Sequence, residues 1–194
     1  MLKPKSFPYN TNLVSEQAHQ LHIELYLGYC NKYNEIQEEL QEYAGCPDAN
    51  KNYSRYRGMK KDEAHNLNAI TLHEHFFNNL SDKPTSPGKH FIGLINQSFG
   101  GFEDWKRDFV SCSKATRGWA VMVFEQRSGR IKNMMIDHHD TGVFMNSYPL
   151  LVLDCWEHSY IFDYQNDIDR YISKFLHCAD WNVVESRCKV IVEN

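Results

Sequence analysis

Apolar and aromatic positions along the chain first recur at helical steps and then gather into short runs. From Ser15, placed to cap a helix running through the forties, His22, Tyr26, Tyr29, Cys30 and Tyr33 recur at steps of three and four. They share one helical face, a pattern that core packing alone can also produce. The segment 45–62 is rich in Gly, Pro, Asn and Asp and reads as the loop of a helical hairpin. A second helix is predicted over roughly Lys61–Leu80. Asp82-Lys-Pro-Thr-Ser-Pro-Gly88 is a linker, and helical spacing resumes from Ile92 to Phe109. Three apolar runs follow, Gly118–Glu125, Ile131–Ile136 and Tyr148–Asp154. Arg127-Ser-Gly-Arg130 joins the first two as a hairpin. The pattern predicts an α+β chain, a helical hairpin followed by a small antiparallel sheet.

Composition narrows the classes. A chain of 194 residues with 42% hydrophobic and 13% aromatic residues can bury a sizeable core and is not disordered. Its net charge of −4 argues against general nucleic-acid binding, which draws on a basic surface. Met1-Leu2-Lys3-Pro4-Lys5 lacks an apolar core long enough for a signal peptide, and no stretch approaches a membrane span. Cysteines 30, 46, 112, 155, 178 and 188 show no C-x-x-C spacing. They argue against a zinc ribbon and read as reduced thiols of a cytoplasmic protein.

Candidate chemistry gathers at the end of the last run. Pro149-Leu-Leu-Val-Leu153 reads as a buried strand, and Asp154 at its end is costly to bury unless paired or metal-bound. If a helix follows, His158 four residues on can converge with Asp154 on one ion. A strand-end Asp that caps the next helix, beside an ordinary His, fits the same residues.

Asp154-x-Trp156-Glu157-His158-x-Tyr160 resembles the signature of the iron/manganese superoxide dismutases. Other stretches resemble the family in the same order, from about residue 7 to 188. These are an irregular arm at 7–12, His73 before Phe76-Phe77-Asn78-x-Leu80, and Phe99-Gly-Gly-Phe102-x-x-Trp105-Lys106. Gly118-Trp119 follows, then Asp163-Tyr-Gln-Asn166 and Asp180-Trp-Asn182, which resemble the closing helices. The resemblance implies an N-terminal antiparallel helical hairpin domain over 1–82. It also implies a metal-binding domain over 89–194, a three-stranded antiparallel sheet surrounded by helices. The implied activity is superoxide dismutation by a homodimer at one iron or manganese ion per subunit, with iron favoured. No nucleic acid or membrane partner is implied. A same-fold metal-binding protein with little dismutase activity, or with another redox activity, is the alternative.

The resemblance implies His22, His73, Asp154 and His158 as metal ligands. His19 shares the face of His22 and competes with it on spacing alone. His75 lies about 200° around the helix from His73 and points elsewhere. His139, fifteen before Asp154, stands where many relatives carry a tuning Gln, although His138 adjoins it and the pair can be plain turn residues. Trp156 and Trp119 are implied as an apolar wall. Glu157 is implied as a contact to the ligand His of the other subunit, though it also suits a solvated surface.

The departures surround the substrate path. Tyr26 replaces the usual gate His, Cys30 replaces the gate Tyr, Ile161 replaces that His's partner Tyr, Ile168 replaces an Arg, and Phe77 replaces a Trp. Tyr26 and Cys30 are therefore expected at the gate, Cys30 as an oxidisable thiol near the metal. The open alternative has Tyr26 or Tyr29 filling the gate and Cys30 inert.

Overall fold

The computed structural model describes residues 1–43, 48–142 and 145–193. Helix α1 (Glu16–Glu42) begins where Ser15 Oγ accepts the Ala18 N–H, satisfying one of the donors a first turn leaves open. Helix α2 (Arg55–Asn78) begins earlier than the expected Lys61. Ser54 caps it through the Arg57 N–H, and the hairpin loop is shorter to match. Residues 44–47 of that loop, Cys46 among them, lie outside the described residues. The N-terminal arm is tied to the hairpin. Both amide atoms of Asn34 bond Leu2, and Phe7 packs on Tyr26 and Phe77.

The single helix expected over Ile92–Phe109 is two, α3 (Lys89–Phe99) and α4 (Phe102–Ala115). Gly100, at φ 87°, ends α3 in the left-handed region where a side chain is strained, and Gly101 opens α4. Strands β1 (Trp119–Glu125), β2 (Arg130–Ile136) and β3 (Ser147–Asp154) form an antiparallel sheet in the order β2-β1-β3. Helices α5 (Glu157–Tyr164), α6 (Ile168–Cys178) and α7 (Trp181–Glu193) close the chain. Asp163–Asn166 ends α5, and Asp180–Asn182 begins α7. Among the described residues no helix is long and apolar enough to cross a membrane.

The register of β3 on β1 decides where Asp154 lies. Trp119 pairs with Asp154, which brings the carboxylate to the same end of the sheet as the indole. The ladder shifts between Met122, opposite Leu151, and Val123, opposite Pro149. Proline has no N–H to give, so the irregularity falls beside it on an edge strand, and Arg187 of α7 donates to the Leu150 carbonyl at 2.7 Å. One core unites the sheet with Phe76 of α2, Trp105 and Phe109 of α4 and Phe175 of α6.

Gly118 holds the functional end of the sheet closed. A Cβ there would lie 2.3 Å from the Ile136 carbonyl oxygen, while the Gly118 carbonyl accepts the Cys155 N–H at 2.7 Å. We expect Gly118→Ala to force β1 off β2 and to cost about 1–3 kcal/mol, the usual range for overpacking. Chemical denaturation checks this; an unchanged midpoint would show that the sheet end yields freely.

Candidate metal centre

Four elements bring one side chain each to a common point: His22 from α1, His73 from α2, Asp154 from the end of β3 and His158 from the first turn of α5. One potential ligand atom from each lies within 4.8 Å of the other three. Asp154, His22 and His73 are buried, and the His158 ring is 36% exposed.

Their orientations are enforced. Tyr171 donates its hydroxyl to the Asp154 carbonyl at 2.9 Å, and Asp154 Oδ1 accepts the Trp156 N–H at 2.9 Å. The turn-capping role open to a strand-end Asp is therefore real, but it uses one oxygen only. The other, Oδ2, lies 3.1 Å from His22 Nε2 and 3.5 Å from His158 Nε2. His73 Nδ1–H donates to the Ala69 carbonyl at 2.7 Å, leaving the lone pair on Nε2. His19 Nε2 instead bonds the Phe7 carbonyl at 3.0 Å, so the arm occupies it and His22 takes the inner place. His75 is half-buried on another side of α2, where Arg187 and Lys5 are its charged neighbours.

The electrostatics suit a cation. Burial lowers the pKa of His22, and burial with the neighbouring His22 takes His73 to about 3, so both rings are neutral. Burial opposes ionisation of Asp154, yet the adjoining His158 and His22 rings outweigh it and hold the carboxyl well below its usual range. Nine buried side-chain nitrogen and oxygen atoms among the described residues lack a hydrogen-bond partner, and six belong here. They are His22 Nε2, His73 Nε2, Asp154 Oδ2, His139 Nε2, Trp119 Nε1 and Trp156 Nε1. Each bare buried group costs about 1–3 kcal/mol, so their concentration marks a place built for a ligand. Neutral imidazoles and an ionised carboxylate are the forms a metal binds, and the donor set fits iron or manganese.

Around the four, Trp119 meets His73 edge-on at 4.9 Å, Phe77 meets His22 at 5.0 Å, and Trp156 stacks along His158 at 6.4 Å. Of the histidine pair, His138 is exposed and His139 is buried, its ring 6.1 Å from His73 and 6.1 Å from Trp156. Glu157 is exposed beside His158.

The expected gate residues sit differently. Tyr26 is buried, but its hydroxyl donates to Glu74 Oε1 at 3.0 Å and accepts the Lys5 N–H at 2.9 Å. Cys30 is fully buried with its thiol toward Tyr26, and burial raises its pKa. The reason is helical phase. Eight residues beyond His22 is about 80° past two turns, whereas seven falls about 20° short. Tyr29 is the residue of this face nearest the cluster, its ring 5.3 Å from His73 and 5.1 Å from His139. Tyr29 stood in the sequence only as an alternative to Cys30. His65, 3.3 Å from His139, carried no such signal, because its partner comes from a distant loop.

Residues 87–187 match the family described as iron/manganese superoxide dismutases, C-terminal domain. The chain is 36% identical to an iron superoxide dismutase of Aquifex pyrophilus, over 96% of this chain and 90% of that one. It is 35% identical to one of Aquifex aeolicus, with the same coverage. A manganese superoxide dismutase of Halobacterium salinarum is 31% identical, over 93% of this chain and 89% of its own. With its fold, its cluster of three imidazoles and a carboxylate, and these relatives, the chain belongs to the iron/manganese superoxide dismutase family.

Proposed function

We propose that the chain converts two superoxide anions and two protons into dioxygen and hydrogen peroxide, using one iron or manganese ion held by His22, His73, Asp154 and His158. The observation that carries this reading is the convergence of four ligand atoms from four elements, three of them buried, on one point. When bound, the ion supplies one-electron chemistry by alternating between two oxidation states. Iron is the working choice, supported by the two Aquifex relatives named for it.

The residues of the chain do the rest. The Ala69 carbonyl fixes His73 in the tautomer that offers Nε2. Trp119, Phe76 and Phe77 exclude bulk water and strengthen every charge interaction inside. Tyr29, whose pKa burial raises, keeps its proton and brings a phenol to the substrate space. We assign it the proton-supplying role, with His139 as its neighbour. Tyr26 and Cys30 support the wall behind it.

We further propose a cytoplasmic homodimer. In support, Glu157, Ile161 and Phe162 are exposed on α5 beside the partly open His158, a face suited to being covered by a second copy. Glu157 would then bond His158 of the partner subunit, and Ile161 would pack apolar surface. Free Cys30, Cys112, Cys155, Cys178 and Cys188 suit a reducing compartment.

Three outcomes follow. His73→Ala should lose its metal on dialysis, because four convergent ligands leave little redundancy; stoichiometric metal by elemental analysis would overturn the ligand set. Tyr29→Phe should keep the metal and lower turnover at least about ten-fold, with Cys30→Ser near wild type. The reverse ranking in a superoxide assay would return the role to Cys30. Glu157→Ala should shift the protein toward monomer, and sedimentation of the wild type as a monomer at micromolar concentration would refute the dimer.

A further inference from the structure

His65 lies on α2, about two turns before His73, half-buried at the outer edge of the centre. Its Nε2 is 3.3 Å from His139 Nδ1, with the rings 4.7 Å apart, and its Nδ1 is 3.7 Å from Asp140 Oδ1. Asn68, on the next turn of α2, donates to the His139 carbonyl at 2.8 Å. One helix thus grips His139 by its ring and by its backbone.

These contacts have a direction. The Asp140 carboxylate can only accept, so it favours a proton on the near nitrogen of His65, Nδ1. A neutral imidazole has one N–H, which leaves His65 Nε2 as a lone pair able to accept the N–H of His139 Nδ1. His139 then keeps its own lone pair on Nε2, the buried nitrogen that has no hydrogen-bond partner.

We propose that His65 is a positioning residue that fixes the tautomer of His139, so that His139 meets whatever is bound at the centre as a hydrogen-bond acceptor and not as a donor. An acceptor there favours small ligands that carry a proton, water or hydrogen peroxide, over bare anions. A glutamine in that place could turn either its N–H or its carbonyl inward; His139 is held to one polarity. The consequence at the ion rests on the metal-site reading above, whereas the tautomer itself does not.

The test uses the full-length protein with zinc as a diamagnetic ion and nitrogen-15-labelled histidine, so that NMR reports which His139 nitrogen carries the proton. The wild type should show it on Nδ1. His65→Gln, whose carbonyl can replace Nε2 as acceptor, should keep it there. His65→Phe, which preserves a ring but offers no acceptor, should move it to Nε2. Asp140→Asn, which leaves His65 in place, should give a mixture. In the iron-loaded protein, His65→Phe should bind azide about five-fold more tightly, the effect of one ordinary hydrogen bond newly donated to an anion. An Nε2 proton in the wild type, or an unchanged spectrum in His65→Phe, would overturn the assignment. A separate superoxide assay on the wild type tests the proposed activity, and its failure would not alter the tautomer result.

Discussion

A carboxylate buried without solvent at the end of β3 sets the terms for everything near it. Leaving an anion in a low-dielectric interior is expensive, and at Asp154 the cost is met from several directions. Tyr171 anchors its carbonyl, the Trp156 N–H takes one oxygen, and the His22 and His158 rings stand against the other. The second oxygen has no hydrogen bond of good geometry within the chain. A cation completes that balance, which is why the same residues that strain the apoprotein electrostatically define the centre.

Four side chains able to hold an ion come from both the helical hairpin and the sheet region. His22 and His73 come from the hairpin, and Asp154 and His158 from the region after the linker. An ion bonded to all four would hold those elements together. The supporting devices are local and rigid: Gly118 lets β2 and the residue after Asp154 close on one strand end, and the Ala69 carbonyl sets His73.

The residues that depart from the family pattern are accommodated by contacts within the chain. The Tyr26 hydroxyl is satisfied within the chain by Glu74 and Lys5, and Ile161 is exposed. Phe77, at a position where the resemblance implies a Trp, packs against His22, Phe7 and Tyr26. Tyr29, one residue before Cys30, sets its ring beside His73 and His139.

Element types and the central motif were legible in the residues because they depend on local spacing. Ser15 before a helical stripe, apolar runs around Arg127–Arg130, and Asp154 four residues before His158 are all short-range signals. The choice of His22 over His19, and of His139 over His138, depended on which ring a distant segment occupies, and no spacing rule contains that. The same holds for Cys30: its burial against Tyr26 follows from helical phase combined with the course of the arm at Lys5. His65 was invisible because its partner lies in the loop after β2, seventy-four positions away along the chain. The break at Gly100-Gly101 belongs between these cases, since two glycines permit both a helix end and a tolerated interior, and packing of α3 and α4 on the sheet chose the end.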